Sequence, residues 1–589
     1  MSEGTILLQD CTTGAACRWL RFRAPRRVLS TGERGCVRAV LGEVAAAVAK
    51  DRVYAAGFVA YEAAPAFDAA LTVRDGARLP LIWFGLYDEP EEIPAPSAPV
   101  VSLPCAAAWV PSIEREAYAA KIAAIRSYLR AGDSYQVNYT IRLRTAFDGD
   151  PSTLFATLCR AQPTSTAAYV DIGEHVICSA SPELFFSLRG TRLWSRPMKG
   201  TARRGLTAAQ DKARMAALAA SEKNRAENVM IVDMVRNDMG RVAAPGTVRV
   251  ERMFEVERYP TVLQMTSTVA CRTTAPLVEL FGALFPCASI TGAPKVRTMQ
   301  IIAELESCPR EIYTGSIGFI APDRTAQFNV AIRTVQIDRK AGCAAYGVGG
   351  GIVWDSVAMD EYSECVAKAA MLSTQPPPSE LLETILWQPG AGFALLDRHL
   401  ARLAASAEYF QYPLDPVAVR DRLERAAAAF AADARKVRLL LDRTGRVRVE
   451  DGPVPPVSND APVRLGLARE PVDPADPFLY HKTTQRRVYQ AARASRPDCD
   501  EVLLWNRRGE ITEASIANVV VEMAGRSWTP PVACGLLPGT YRDWLVAQGQ
   551  VQERAIRIDT LAGAERIWLV NAVRGKYAAD LSLAFLPRL

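Results

Sequence analysis

The alternation of apolar and polar positions predicts a mixture of strands and helices in the N-terminal part of the chain. Short apolar runs at residues 5–8 and 81–87 are typical of strands, and an alanine-rich stretch at 37–49 is typical of a helix. A further helix is predicted for residues 118–131. Polar and apolar side chains then alternate through residues 133–141, as they do in a half-buried strand.

Helices and strands are also predicted for the next part of the chain. One long helix is predicted for residues 207–238 and a second for 295–306, after the segment Ser289–Lys295, whose amide-rich helix start is a plausible anion site. Strands are predicted at 314–320, 328–337 and 344–348. Three glycines at 349–351 interrupt the last strand, and backbone without side chains allows a ligand to approach closely.

Lys199 lies at the end of a predicted strand, beside Gly200 and Thr201, in the stretch R-P-M-K-G-T-A-R-R. A lysine in this position becomes a nucleophile if its ammonium group is partly desolvated and loses its proton. The alternative is an ordinary solvated loop lysine. The pattern alone does not decide between the two.

Three glutamates are candidate metal ligands. Glu227 shares a helix face with apolar residues, and a carboxylate at the head of a buried stripe is costly unless it is paired or binds a cation. Glu361 and Glu364 are spaced i, i+3 on another predicted helix, with Lys368 one turn further on. The alternatives are a surface Glu227 and a simple Glu364–Lys368 surface pair.

Composition narrows the class of protein. A chain of 589 residues is too long for one core, and its net charge of +6, without a basic block, does not suggest nucleic-acid binding. Only 3 histidines are present, so hard cations held by carboxylates are favoured over His-rich metal sites. The 13 cysteines include no C-x-x-C pair and are expected to be reduced thiols. No apolar run is long enough to span a bilayer and no signal-peptide pattern is visible, so a cytoplasmic location is expected.

A series of motifs between about residues 111 and 372 resembles the chorismate-utilising enzymes. In order, these are S-P-E-L-F, P-M-K-G-T, A-E-N-V-M-I-V-D-M-V-R-N-D, S-I-T-G-A-P-K, I-Y-T-G-S-I-G, A-I-R-T, G-V-G-G-G-I-V and E-Y-S-E-C-V-A-K. Within that group, P-x-K-G-T resembles aminodeoxychorismate synthase component I, because anthranilate synthase typically has alanine in place of the lysine. The resemblance implies an anthranilate-synthase-like α+β fold for a domain at residues 1–372.

The resemblance also implies roles for individual residues. Lys199 would be the nucleophile that adds to C2 of chorismate, Glu183 the acid–base group, and Glu227, Glu361 and Glu364 the Mg²⁺ ligands. The substrate pocket would be lined by Gly200, Thr201, Thr291, Tyr313, Arg333, Gly349, Gly350 and Lys368. Gln136 stands where isochorismate-forming relatives carry a lysine base, which argues against that chemistry. Asn224 and Gln264 depart from the residues common in the family.

A proline-rich linker at 373–380 is predicted to lead into a second domain at 381–589. Its motifs D-R-H-L-x-R-L, H-K-T, T-E-A-S-I-A-N and G-L-L-P-G-T-x-R resemble the fold-type IV pyridoxal 5'-phosphate (PLP) enzymes, which include aminotransferases and aminodeoxychorismate lyase. The resemblance assigns the covalent bond to PLP to Lys482, the partner of the pyridine nitrogen to Glu513, and the phosphate to Arg402 and Thr540.

Together the two resemblances imply a bifunctional enzyme that makes 4-aminobenzoate for folate synthesis from chorismate and ammonia. The adjacency of the domains, rather than lyase-specific residues, favours a lyase over an aminotransferase. No amidotransferase segment is visible, so ammonia is expected from a separate glutaminase subunit, and a homodimer through the PLP domain is possible. The alternatives are an anthranilate-synthase-like domain fused to a class IV aminotransferase, and a catalytically inactive chorismate-binding regulator.

Overall fold

The computed structural model describes residues 1–12, 17–96, 109–369, 372, 378–430, 432–456 and 461–581. The chain divides into two compact units. Unit 1 comprises Met1–Arg203 and Arg214–Pro376, and unit 2 comprises Arg204–Ala213 and Pro377–Leu589. The predicted linker at 373–380 lies largely outside the described residues, and the predicted domain boundaries stay a prediction.

Strands and helices alternate along the first part of the chain. The strands are β1 (Ile6–Asp10), β2 (Arg18–Phe22), β3 (Arg27–Thr31), β4 (Tyr54–Val59), β5 (Ile82–Tyr87), β6 (Glu91–Ile93), β7 (Val110–Pro111), β8 (Gln136–Ala146), β9 (Ala168–Asp171), β10 (His175–Ser179), β11 (Leu184–Arg189), β12 (Arg192–Arg196), β13 (Met198–Arg203), β14 (Arg249–Arg258), β15 (Val262–Arg272), β16 (Gly292–Ala293), β17 (Ser316–Ile320), β18 (Thr325–Val330), β19 (Thr334–Asp338) and β20 (Cys343–Ile352). The helices are α1 (Val37–Asp51), α2 (Ala64–Phe67), α3 (Arg115–Arg130), α4 (Pro151–Ala161), α5 (Ala208–Ala220), α6 (Glu222–Gly240), α7 (Leu277–Leu284), α8 (Lys295–Leu305) and α9 (Ala358–Ala369).

Unit 1 is a sandwich of two antiparallel sheets with helices on the outer faces. In the described residues, one ten-stranded sheet has the order β16-β8-β20-β19-β10-β9-β1-β2-β6, with β7 paired to β8. The other has the order β13-β15-β12-β11-β18-β17-β4-β5-β3, with β14 paired to β15. Apolar side chains of β1, β4, β10 and β17 form a core between the sheets, because alternate residues of a strand face opposite sides. Separate cores lie under α1, α6 and α7 on one side and under α3, α4, α8 and α9 on the other.

Unit 2 contains two smaller sheets. Its strands are β21 (Glu380–Gln388), β22 (Gly392–Phe393), β23 (Arg435–Asp442), β24 (Val447–Pro453), β25 (Val463–Leu467), β26 (Glu501–Trp505), β27 (Ile511–Ala514), β28 (Asn518–Met523), β29 (Arg526–Thr529), β30 (Gln552–Glu553), β31 (Arg566–Asn571) and β32 (Gly575–Leu581). Its other helices are α10 (Leu396–Phe410), α11 (Pro416–Ala427), α12 (Arg487–Ala494) and α13 (Thr540–Ala547). Strands β21–β24 form one antiparallel sheet, and β25–β32 form a mixed sheet in the described part of this unit. The predicted two-domain α+β fold is therefore confirmed.

Three sequence-based expectations need correction. The long helix predicted at 207–238 is two helices, because Ser221 adopts an extended conformation and its hydroxyl accepts the N–H of Asn224 as the N-cap of α6. The strand predicted at 328–337 is divided into β18 and β19 at Arg333, whose φ is 52°. The glycines at 349–351 do not end a strand: β20 continues through them, paired with β8.

The cysteine prediction is also wrong in one place. Cys11 and Cys17 form a disulfide, whereas the other ten cysteines of the described residues are free. Their spacing carries no recognisable motif, so only the fold brings the two thiols together. Among the described residues, no helix has the length and apolar character needed to cross a membrane.

Candidate active sites

A cavity of about 430 Å³ in unit 1 collects most of the residues that the first resemblance singled out. Strand β13 supplies Lys199, helix α6 supplies Glu227, and helix α9 supplies Lys368. The lining includes Glu183, Lys199, Gly200, Thr201, Glu227, Tyr313, Arg333, Gly349, Gly350, Glu361, Glu364 and Lys368. Residues that are far apart in sequence therefore face one space.

Lys199 is held in a crowded position among polar and charged side chains. Burial lowers the pKa of its ammonium group, and the positive charge of Lys368 lowers it further, against the opposing charges of nearby carboxylates. Gly351 lies so close that a Cβ atom at this position would be 2.9 Å from the Lys199 Nζ and still closer to the Gln136 amide nitrogen. The glycine in β20 therefore makes the room that the lysine occupies, and the lowered pKa favours the neutral, nucleophilic amine.

Glu183 is a buried acid beside this lysine. Burial raises the pKa of its carboxyl to about 7, while a hydrogen bond with Ser289 and the charge of Lys199 oppose that rise. Its Oε1 atom is buried and has no hydrogen-bond partner among the described residues. A carboxyl that is half protonated near neutral pH, with one oxygen free, is suited to donate a proton to a bound ligand.

Two residues that depart from the family pattern support the backbone beside Lys199. Gly200 has a φ of 93°, and a Cβ there would meet the side chain of Asn224 at 3.0 Å. The Thr201 hydroxyl donates to Gln264 Oε1 at 2.9 Å, and Gln264 Nε2 donates to the Gly200 carbonyl at 2.9 Å. Gln264 therefore holds the Gly200–Thr201 segment by hydrogen bonds, and Asn224 fills the space beside Gly200.

Helix α9 and Arg333 bring cations and carboxylates to the same cavity. Lys368 Nζ lies 2.7 Å from a Glu364 oxygen and donates to the Gly349 carbonyl, also at 2.7 Å. Arg333, in the left-handed region, donates to the carbonyl of Lys368. A strained arginine that is fixed in this way is a typical feature of a ligand-binding site.

The three candidate metal ligands face the same cavity, but each of the two on α9 has another partner. Glu361 accepts a hydrogen bond from Ser356 at 2.6 Å, and Glu364 pairs with Lys368. No group of three or more His, Cys, Asp or Glu side chains in the described residues is arranged to hold an ion as it stands. Burial raises the pKa of Glu361, and the charge of Glu364 contributes. Oxygen ligands that repel one another fit a hard cation such as Mg²⁺.

Thr291 stands apart from the other expected pocket residues. It is fully buried, and its hydroxyl donates to the carbonyls of Cys287 and Ala288 at 3.3 Å. Its neighbours Ser289 and Ile290 line the cavity instead. Ser289 was not singled out from the sequence, although it begins the S-I-T-G-A-P-K motif, because the turn at Ala288–Ile290 decides which side chain points inward.

A second cavity, of about 380 Å³, lies in unit 2 and contains all four residues expected to bind PLP. Lys482, Arg402, Glu513 and Thr540 all line it. Burial lowers the pKa of Lys482 to about 8, and the charge of Arg402 contributes. The carbonyl of Lys482 accepts the N–H of Leu382 in β21, which fixes the backbone at this lysine.

Glu513 is a buried carboxyl surrounded by neutral hydrogen-bond donors. Tyr489 donates to it at 2.8 Å, the N–H of Leu537 at 3.0 Å, and Asn518 Nδ2 at 3.2 Å. Burial raises its pKa to about 7 in spite of these bonds. A buried carboxyl without a directly bonded cation is suited to a ligand that brings a protonated ring nitrogen, as PLP does.

Arg402 and Thr540, which line the same cavity, belong to a buried hydrogen-bond network. Two nitrogens of Arg402 donate to Glu383, at 2.9 and 2.6 Å, and His399 Nδ1 lies 2.6 Å from the same carboxylate. Burial alone would raise the pKa of Glu383, but Arg402 and His399 lower it to about 2. Thr540 contacts His399 Nε2 at 3.2 Å and begins α13, whose first amides favour an anion. These side chains fit a phosphate.

Sequence reasoning missed Glu383, His399 and Tyr489. His399 lies within the D-R-H-L-x-R-L motif and could have been found there, one helical turn before Arg402. Glu383 and Tyr489 carry no such signal, because only the folded sheet brings Glu383 on β21 to α10, and only the packing of α12 brings Tyr489 to Glu513.

Unit 1 thus combines two packed sheets with one cavity that holds a desolvated lysine, a buried acid and several carboxylates. Its class is shown by comparison with known families: residues 12–374 match the model of the chorismate binding enzymes. This match covers more than half of the chain, and the chain belongs to that family. Residues 380–579 match the model of the class IV amino-transferases.

Among curated proteins, the chain is similar to aminodeoxychorismate synthases. It is 42% identical over 289 residues to aminodeoxychorismate synthase component 1 of Klebsiella aerogenes, and the aligned region covers 48% of this chain and 64% of that protein. It is 38% identical over 280 residues to aminodeoxychorismate synthase component 1 of Bacillus subtilis, which is 47% of this chain and 59% of that protein. The chain thus spans less than two thirds of these relatives.

Solved structures with the fold of unit 1 include two enzymes of the same broad group. Anthranilate synthase component I from Streptococcus pneumoniae superposes with a TM-score of 0.53 at 24% identity, over 64% of this chain and 93% of that one. The menaquinone-specific isochorismate synthase of Escherichia coli gives a TM-score of 0.50 at 18% identity, over 63% of this chain and 88% of that one. Both likenesses concern the fold.

Proposed function

We propose that the chain makes 4-aminobenzoate in two steps, one in each unit. The first converts chorismate and ammonia to 4-amino-4-deoxychorismate, and the second eliminates pyruvate from that product. The observation that carries the proposal is the pair of cavities, each with a lysine whose pKa burial lowers and a buried glutamate whose pKa lies near 7. The aminodeoxychorismate synthase relatives support the first step.

In unit 1, Lys199 and Glu183 act as nucleophile and acid. The neutral Lys199 amine forms a bond to C2 of chorismate, the ring double bonds shift, and the C4 hydroxyl leaves as water with the proton of Glu183. Ammonia then forms the bond to C4, the double bonds shift back, the Lys199–C2 bond breaks, and one proton of the new C4 ammonium group returns to the Glu183 carboxylate. Carbon skeleton and electron count are conserved, so no oxidant is required.

The anionic groups of chorismate need compensating charge. Arg333 and Lys368 would bind carboxylate oxygens directly, together with backbone amides near Gly349 and Gly350. Glu227, Glu361 and Glu364 would hold Mg²⁺, which would neutralise a further part of the substrate charge. Ammonia is expected from a separate amidotransferase subunit.

In unit 2, Lys482 moves protons. PLP supplies an electron sink that stabilises negative charge next to the substrate nitrogen. The Lys482 amine takes the proton from C4 of aminodeoxychorismate and returns a proton to the methylene carbon of the departing enolpyruvyl group, so that pyruvate leaves and the ring becomes aromatic. Glu513 would keep the pyridine nitrogen protonated, while Arg402, Thr540 and the start of α13 would hold the phosphate.

Product identification tests the proposal. The purified chain is incubated with chorismate, ammonium, Mg²⁺ and PLP, and the products are identified by mass spectrometry. Equal amounts of 4-aminobenzoate and pyruvate are expected. Anthranilate would instead support an anthranilate-synthase-like first unit, and no consumption of chorismate would support a regulatory protein without catalytic activity.

A further inference from the structure

Ten residues of unit 2 come from the middle of the sequence that matches the chorismate binding enzymes. Arg204–Ala213 directly follows β13, the strand of Lys199, yet it packs with residues 377–589. This segment is called the inserted segment below. It makes two kinds of contact within unit 2, one with the residue next to Lys482 and one with the apolar cluster around Tyr489.

The first contact fixes His481, the residue immediately before Lys482. Its Nε2 atom lies 3.1 Å from the carbonyl of Leu206 in the inserted segment, and its Nδ1 atom lies 2.9 Å from the Ser406 hydroxyl. Burial lowers the pKa of His481 to about 4, so the ring is neutral, with its one N–H directed to Leu206 and its other nitrogen accepting from Ser406.

The His481 ring is also stacked on an aromatic residue that the inserted segment holds. Tyr409 stacks on it at 4.4 Å between centroids. The Tyr409 hydroxyl donates to the Gly205 carbonyl at 2.9 Å, and the Arg204 guanidinium lies over the ring at 4.3 Å while donating to the Tyr409 carbonyl at 2.8 Å. The imidazole of His481 is therefore held at its edge by hydrogen bonds to Leu206 and Ser406 and at its face by the Tyr409 ring.

The inserted segment is itself held by a buried ion pair. Asp211 is fully buried and accepts from the Arg204 guanidinium at 2.6 Å and from the Gly205 N–H at 2.6 Å. Removing one member of a satisfied buried pair leaves the other unpaired, which is costly. Asp211 thus fixes the turn that presents the Gly205 and Leu206 carbonyls.

The second contact is made with an apolar cluster of unit 2. Leu206 packs against the apolar cluster that includes Leu479, Tyr480 and Tyr489. Tyr489 is the residue that donates to Glu513. The inserted segment therefore contacts His481, beside Lys482, and packs on the apolar cluster to which Tyr489 belongs.

His481 and Lys482 lie outside the helices and strands, so this stretch is held by the bond between the Leu382 N–H and the Lys482 carbonyl and by the contacts of the His481 ring. We infer that the inserted segment positions Lys482 for PLP through His481, so that the PLP unit requires ten residues encoded within the chorismate-binding part of the chain. Asp211 and Tyr409 are then positioning residues of the second step. The inference rests on the proposed function only as far as PLP binds at Lys482.

The test uses full-length variants and a measurement that does not require turnover. Asp211→Asn removes the charge of the buried pair, and Tyr409→Phe removes only the hydroxyl that contacts Gly205. Lys212→Ala is the matched control, because Lys212 lies in the same segment but forms an exposed pair with Glu408. The PLP dissociation constant of each apoprotein is measured, together with the pH midpoint of the visible absorption of bound PLP.

Asp211→Asn is expected to weaken PLP binding by about tenfold or more and to move the pH midpoint, because it removes a buried charge-assisted hydrogen bond. Tyr409→Phe should give a smaller change in the same direction, and Lys212→Ala none. Chorismate consumption should stay within about twofold of wild type in all three, as expected for residues outside the first cavity.

Wild-type PLP affinity and midpoint in both Asp211→Asn and Tyr409→Phe would overturn the inference. If Asp211→Asn does not fold, the PLP affinity of Tyr409→Phe decides the test, because this variant loses only one oxygen atom and is expected to fold. Failure of the wild-type chain to cleave aminodeoxychorismate would contradict the proposed function, while the comparison of PLP affinities would still test the positioning role.

Discussion

Glu183 is the side chain whose ionisation should govern the pH dependence of the first step. Its pKa is raised from 4.5 to about 7, so the protonated acid predominates below that pH and is lost above it. At constant free ammonia, kcat for chorismate amination should therefore fall about tenfold per pH unit above 7 as the proton donor disappears.

Glu183→Gln should lower that rate by about a hundredfold or more and remove the decline above pH 7, because an amide cannot donate the proton. Steady-state rates between pH 6 and roughly 9 measure both effects. An unchanged decline in Glu183→Gln would assign the acid to another group.

The sequence predicted individual chemical groups better than their orientation. Lys199, Glu183, Lys482 and Glu513 could be singled out because each stands in a motif with a fixed order. The hydroxyl of Thr291 turns toward backbone carbonyls instead, since the neighbouring turn sets its direction.

Strand β20 offers a sharper test of the first cavity than a change of the nucleophile itself. The three atoms nearest to a Cβ at Gly351 belong to the flexible ends of the Gln136 and Lys199 side chains. Gly351→Ala should therefore keep the melting temperature close to that of wild type while it displaces the Lys199 amine. A displacement of about 1 Å costs roughly a hundredfold in rate, so kcat of the first step should fall by about that factor.

Gly240→Ala is the control, because no atom lies within 4 Å of a Cβ at that position. Thermal melts and amination rates of both variants are compared. A fully active Gly351→Ala protein would show that the room beside Lys199 is not needed.

Helix α9 is expected to carry the metal dependence. Glu361 and Glu364 lie one turn apart and face the cavity, and the pKa of Glu361 is raised by burial and by the Glu364 charge. Bound Mg²⁺ would relieve that repulsion. Glu361→Ala should thus require more Mg²⁺ for the first step and leave the conversion of supplied aminodeoxychorismate unchanged.

Titration of activity with Mg²⁺ after chelation measures this effect. A control is Asp360→Ala, because Asp360 lies on the same helix but does not line the cavity. Identical titrations for wild type and Glu361→Ala would remove Glu361 from the metal site.

Elements were predictable where local signals are strong. The bounds of α1 and β5 agree closely with the predicted ranges 37–49 and 81–87, because each has a clear apolar pattern. The division between α5 and α6 could have been foreseen from Ser221, a favoured N-cap residue. The pairing of β20 with β8 through three glycines could not have been foreseen, because it depends on residues some 200 positions away.

For the whole molecule, the sequence predicted two domains of the correct fold, but not the inserted segment. Its contacts with His481 and Tyr409 join residues more than 200 positions apart, and nothing in its local pattern indicates them. Such a contact depends on tertiary packing, which no window of neighbouring residues contains.

The central claim is that one chain carries two successive reactions on two different lysines. The most direct test compares Lys199→Ala and Lys482→Ala with wild type, using chorismate plus ammonium in one assay and purified aminodeoxychorismate in another. Lys482→Ala should consume chorismate and accumulate aminodeoxychorismate, because the first cavity is intact. Lys199→Ala should convert supplied aminodeoxychorismate to 4-aminobenzoate and pyruvate. The same variant should make little aminodeoxychorismate from chorismate. Normal 4-aminobenzoate production from chorismate by either variant would contradict the account.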